Sequence, residues 1–203
     1  EILTHIRHSE KVFAMRVFIA VLVLIFSFQF WSKADDISEF EIEGISIGDS
    51  LLNHFNKSLI DSEKTFPSWS SKKFTRFVSF ENLKTYDAIL IYFEDNGDYV
   101  ISSISAVVKF QNTIDGCYKK KATIIKEFKN TFSNYEIQSY KSDHQQDKTG
   151  KSKNDITDFI FSSGASSRII CTDWSNEMNL EDELRVILSS KEYTYFITNV
   201  AYK

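Results

Sequence analysis

Val17 to Phe30 is a run of 14 residues without a charge, and it decides how much of this chain is free to fold. At 1.5 Å per residue a helix of that length covers roughly 21 Å, short of the ~30 Å hydrocarbon core of a bilayer. Met15 and Arg16 give the run a positive start, and Ser32-Lys33-Ala34 puts small residues where a signal peptidase reads. The pattern predicts a secretory signal peptide over 15–34, cut after Ala34. Residues 1–14 then read as upstream readthrough or a mis-called start. The remainder, 35–203, suits a single exported domain, periplasmic or secreted. No Cys stands at the expected cleavage point to carry a lipid, so no stable membrane anchor is expected after cleavage.

Setting aside residues 1–34 removes four Lys/Arg and two Asp/Glu, moving the net charge from −4 to −6. An acidic, evenly mixed surface argues against nucleic acid and anionic lipid, which need clustered Lys/Arg. Two cysteines remain, Cys117 and Cys171. In an oxidising compartment an even count favours one disulfide, with two buried thiols as the alternative. No metal and no cofactor is expected. The cysteines lie far apart, and His54 and His144 are the only histidines after residue 34, so no close ligand pair forms.

Periodicity predicts class α+β: antiparallel sheet with one long and two short helices, in an order that suggests two helix-plus-hairpin halves. Phe40 to Ile47 alternates apolar and polar and changes phase at Gly44, reading as a strand with a bulge. Asp49 is the expected N-cap of a short helix carrying Leu51, Leu52, Phe55 and Leu59. Residues 61–72, with the only proline, read as loop. Strands follow over 73–80, 86–93 and 99–110, the last two joined through Asn96-Gly97, a strong hairpin signal. The long helix begins near Asp115, its apolar stripe running Cys117, Tyr118, Ala122, Ile124, Ile125, Phe128, Phe132. After a strand over 135–140, the polar run 141–154 reads as a mobile loop. A second hairpin turns at Ser163-Gly164, with Ile169 and Cys171 on one face of its return strand and Ile170, Thr172 and Trp174 on the other. A strand at 183–189 precedes a C-terminal helix marked by Tyr193, Phe196, Ile197 and Val200.

Gly48-Asp49-Ser50-Leu51 resembles the first block of the GDSL esterases and lipases, which implies Ser50 as nucleophile. That chemistry needs an imidazole to take the hydroxyl proton. His54, one turn after Ser50, is the nearest candidate, and neither His54 nor His144 stands in the family's Asp-x-x-His. The family's parallel sheet also conflicts with a chain of antiparallel hairpins, so Gly-Asp-Ser reads first as a helix start. Thr149-Gly150-Lys151-Ser152 echoes a phosphate loop, but Gln145 replaces the required glycine and the segment reads as solvated. Trp69 and Trp174 each sit beside polar residues. Core packing is the ordinary role of such aromatics and a ligand surface the other, while Asp173 would need a neighbouring carboxylate to act as a buried acid.

Ala34-Asp35-Asp36-Ile37-Ser38 to Phe55 and Ile170 to Ser175 are similar to segments of small exported proteins of marine alphaproteobacteria. This resemblance implies export and brings no catalytic residues. Glu43 to Leu52 also resembles segments of periplasmic α+β modules that bind proteins, such as outer-membrane assembly lipoproteins and β-lactamase-inhibitor-like domains. The leading expectation is a non-enzymatic module acting on a protein or envelope component. A serine esterase using Ser50 and a small-ligand binder with a Tyr- and Trp-lined sheet concavity are the alternatives.

Overall fold

Alternating segments pair in sequence order, each turning back on its neighbour, and this builds nearly the whole architecture. The computed structural model describes residues 37–69, 71–111 and 113–203. The expected signal peptide, the residues before it and the Asp35 start lie outside the described residues. The fold is α+β, with a two-stranded and a seven-stranded antiparallel sheet.

The two-stranded sheet pairs β1 (Glu41–Ile42) with β2 (Ile45–Ser46). The expected bulged strand is therefore a tight hairpin. Glu43 and Gly44 both take positive φ, 55° and 78°, as a two-residue turn of this hand requires. The Glu43 carboxylate then accepts the backbone N–H groups of Lys84 (2.9 Å) and Thr85 (2.7 Å), pinning the turn to the segment that leads into Ala88 of the main sheet.

The helix expected from Asp49 onward is split. A 3-10 turn, Leu51–Asn53, has Ser50 at its N-cap position with no side-chain cap bond. Asp49 does not cap it: its Oδ2 accepts the upstream N–H of Ser46 (3.1 Å). The α-helix proper, α1 (Lys57–Glu63), is capped by Asn56, which accepts the Leu59 N–H at 2.8 Å. Part of the expected 61–72 loop is thus helical.

The large sheet runs β3 (Thr75–Ser79), β4 (Ala88–Phe93), β5 (Ile101–Phe110), then β9 (Asp182–Ser189), β8 (Ser166–Asp173), β7 (Lys153–Phe161) and β6 (Tyr135–Asp143). The two expected halves meet where β5 pairs with β9. The long helix α2 (Ile114–Thr131) covers one face of this sheet. Its Phe128 and Phe132 stack with Phe159 and Phe161 across the core. Cys117 and Cys171 are bonded, with Cα atoms 5.9 Å apart, tying α2 to β8. The apolar stripe is corrected at one place. Ala122 faces solvent, and Lys121, one turn beyond Cys117, takes the buried position at 5% exposure.

The polar run 141–154 is not an open loop. β6 continues to Asp143, β7 begins at Lys153, and the turn between them is organised by Asp147, only 4% exposed. Its carboxylate accepts from Thr149 N (2.9 Å) and Oγ1 (2.7 Å), Ser152 N (2.9 Å) and Oγ (2.7 Å), and Ser175 Oγ (2.9 Å). A run without apolar residues is thus held by one charged acceptor rather than by a core.

Helix α3 (Lys191–Asn199) lies on the opposite face from α2. Ser190 caps it by accepting the Tyr193 N–H at 3.2 Å. Tyr193 and Phe196 pack on Phe74 at ring distances of 5.1 and 5.0 Å, and Trp69 stacks on Tyr92 at 5.6 Å. This aromatic cluster docks α3 over the β3–β5 half and leaves a groove beside it.

Candidate functional site

Strand register builds the groove. Residues opposite one another in antiparallel strands share a face, so each register line is a row of side chains across the sheet. One row runs Arg76, Tyr92, Ser103, Ser189, Ser166, Ile160. The next runs Leu90, Ser105, Ile187, Arg168, Asp158. The third carries Val107 and Arg185. All lie on the face away from α2, and α3 with Tyr202 forms the overhanging wall. The enclosed volume is about 340 Å³, within the usual ~300–1,000 Å³ of small-molecule sites.

Most hydroxyls in the groove are spent internally. Ser103 Oγ donates to the Leu188 carbonyl (2.8 Å) and meets Ser189 Oγ (3.0 Å). Ser166 Oγ meets Thr194 Oγ1 (2.9 Å), joining β8 to α3. Ser105 Oγ is buried and has no hydrogen-bond partner.

The charges divide into two states. Arg168 grips Asp158 through Nε (2.6 Å) and Nη2 (2.8 Å), and Tyr140 OH adds a bond to Asp158 (3.2 Å). This bidentate pair neutralises itself. Arg185 has a bond through Nη2 to Glu183 (2.7 Å), and Glu183 stands outside the groove lining. Burial pushes the Tyr193 hydroxyl well above the ordinary tyrosine value and raises that of Tyr92, so both stay neutral.

The expected esterase residues are not assembled for proton transfer. Ser50 Oγ donates to the Asp98 carbonyl at 2.7 Å, while His54 Nε2 lies 3.2 Å from Asp49 Oδ2. The imidazole is thus committed to the carboxylate, and the hydroxyl points to the β4–β5 turn. His144 stacks on Trp174, ring centroids 4.1 Å apart. Asp173 does have a carboxylate neighbour: burial, then the Asp173 charge, raise the Asp182 pKa above the ordinary value. Asp182 Oδ1 is nonetheless occupied by the Trp174 N–H at 2.9 Å. Among the described residues no group of three or more His, Cys, Asp or Glu is placed to hold a metal ion.

Trp69 and Tyr92 were legible as aromatics beside polar residues or on a strand, but Ser105, Arg168 and Arg185 carried no motif. One signal was present. Arg76, Arg168 and Arg185 are the only arginines after residue 34, against many lysines, and all three fall on strands at one face of the sheet. No protein-family profile, curated protein or solved structure matches the chain.

Proposed function

We propose that this chain is an exported, non-enzymatic binding domain whose ligand sits in the groove between α3 and the sheet. The observation that carries the reading is the cavity itself, of ligand size at about 340 Å³ and lined by aromatic, aliphatic and hydroxyl side chains. The flanking walls support the same reading. Aromatic and aliphatic side chains share the lining with a few polar groups, the usual composition of a ligand pocket. The Cys117–Cys171 bond is compatible with an extracytoplasmic location, as is the lack of a membrane-spanning helix among the described residues. A protein or envelope component is the second reading, favoured by Tyr195 (65% exposed) and Tyr202 (77% exposed) on and after the same helix.

Thermal-shift screening of the purified protein against small amphiphiles tests the groove. Stabilisation is expected in wild type and not in Thr198→Trp, which fills the mouth from an exposed helix position. Equal stabilisation of both proteins places binding elsewhere and refutes the reading. Mass spectrometry of the exported product tests the compartment, with Asp35 the expected N-terminus.

A further inference from the structure

We propose that Asn96 is a site of spontaneous deamidation, where closure of a succinimide onto Gly97 converts the turn between β4 and β5 to an isoaspartyl form. Water is the only co-reactant, and neither residue lines the groove. Asparagine is among the chemically labile side chains, and no other asparagine in this chain precedes a glycine. The step needs the Gly97 nitrogen to reach the side-chain carbonyl carbon of Asn96. Both residues are exposed, and among the described residues the Gly97 N–H donates to no acceptor. No heavy atom lies within 4 Å of where a Gly97 side chain would begin, so base and water reach the peptide from that side. Asn96 Oδ1 accepts the Asp98 N–H at 3.2 Å. This Asx turn folds the side-chain carbonyl back over the Gly97 peptide and polarises it toward attack. The Asp115-Gly116 pair is placed differently: Gly116 donates its N–H to the Thr113 carbonyl at 3.1 Å, at the start of α2.

Base removes the Gly97 N–H proton, the nitrogen bonds to Asn96 Cγ, and the Cγ–Nδ2 bond breaks as ammonia leaves with a proton from water. Water then opens the ring at either carbonyl. One opening gives aspartate. The other routes the main chain through Cγ and gives an isoaspartyl residue, whose backbone is longer by a methylene. That lengthening falls beside the anchor of the Ser50 segment. The Asp98 carbonyl accepts Ser50 Oγ (2.7 Å), the Tyr99 carbonyl accepts the Leu51 N–H (2.9 Å), and Ser50 bridges to Val100. The new carboxylate adds to the repulsion as well. Lys73 and Lys64 already face Glu94 (3.3 Å) and Asp95 (2.8 Å), which leaves the added charge to meet Asp98. Deamidation therefore loosens the hold of this turn on Leu51, a fully buried core residue.

The test ages the purified protein in warm, mildly alkaline buffer and follows intact mass and protease fragments by mass spectrometry. The mass is expected to rise by the difference between water and ammonia, with the change confined to the fragment carrying Asn96-Gly97. Chromatography of that fragment should separate an isoaspartyl product from the aspartyl one. The native rate is expected to rise with hydroxide concentration and to stay within about tenfold of the rate in the guanidinium-unfolded chain. Asn96→Gln, which must close a larger ring, is expected to keep its mass, with circular dichroism reporting that it is folded. Fully aged wild type should unfold at a lower urea midpoint than fresh Asn96→Asp, which carries the charge without the longer backbone. An unmodified Asn96 fragment, a native rate suppressed beyond that range, or an equal mass gain in Asn96→Gln overturns the site. An aged midpoint equal to that of Asn96→Asp overturns the effect on the Ser50 anchor.

Discussion

Lys121 Nζ bonds the main-chain carbonyl of Asp155 at 2.7 Å and its Oδ1 at 2.5 Å, on the buried side of α2. Asp155 is the register partner of Cys171, and Lys121 lies one helical turn from Cys117. An ion pair and a disulfide thus tie the same helix to neighbouring strands. Burial holds the lysine below its ordinary pKa against the pull of Asp155.

Lys121→Ala should therefore weaken the fold. Breaking a buried pair costs about 3–5 kcal/mol, and Asp155 can partly rehydrate, so a loss of about 2–3 kcal/mol is expected. Lys121→Met keeps the apolar stem and should lose less. Urea midpoints measure this, and midpoints unchanged in both variants would show that the pair contributes nothing.

Reducing the Cys117–Cys171 bond, or replacing both cysteines by alanine, releases a loop of sequence separation 54. In the chain-entropy model such a bridge contributes about 4 kcal/mol. Denaturant unfolding with and without reductant should separate by roughly that amount. Alkylation of the native protein without reductant should label neither sulfur, since the two are bonded to each other.

The turn after β6 predicts an acid sensitivity. Side-chain bonds from Ser152 and Thr149 hold the Asp147 carboxyl well below the usual carboxylate range. A lowered folded-state value means that the stabilisation is complete above the unfolded pKa of about 4 and lost as pH falls through the folded value. Asp147→Asn replaces one acceptor oxygen with a donor that faces donors. It should be less stable than wild type near neutral pH, and the difference should shrink on acidification. A gap that stays constant down to strong acid would contradict the assignment.

Ser50 should behave as a structural residue. Its hydroxyl holds the Asp98 carbonyl, so Ser50→Ala should cost about 0.5–1.5 kcal/mol, the net value of one hydrogen bond. Neither wild type nor Ser50→Ala should hydrolyse p-nitrophenyl butyrate above background. Turnover by wild type that vanishes in Ser50→Ala would restore the esterase reading.

Alternation and helical spacing were enough to find seven strands of the large sheet, the long helix and the C-terminal helix. Each carries its own period in its own residues. The same reasoning failed where one interaction overrides the local pattern. Gly44 changes the phase of an alternating segment, which a bulge and a two-residue turn both do, and the paired positive φ angles of Glu43 and Gly44 distinguish them. Lys121 breaks the apolar stripe because its charge is met by Asp155, 34 residues away. Asp147 organises a polar run through Ser175, 28 residues away.

What the residues determined by themselves is local: strands of period two, helices of period 3.6, a hairpin at Asn96-Gly97 and a cysteine pair suited to an oxidising compartment. Tertiary structure alone decided which face of the sheet α3 covers. That choice is made by Phe74, Tyr193 and Phe196 meeting across 119 or more residues of chain. It also set Ser105 opposite Ile187, 82 residues apart in sequence, through the β5–β9 register. Neither position announces the other, because a site made by strand pairing exists only once the ladder has closed.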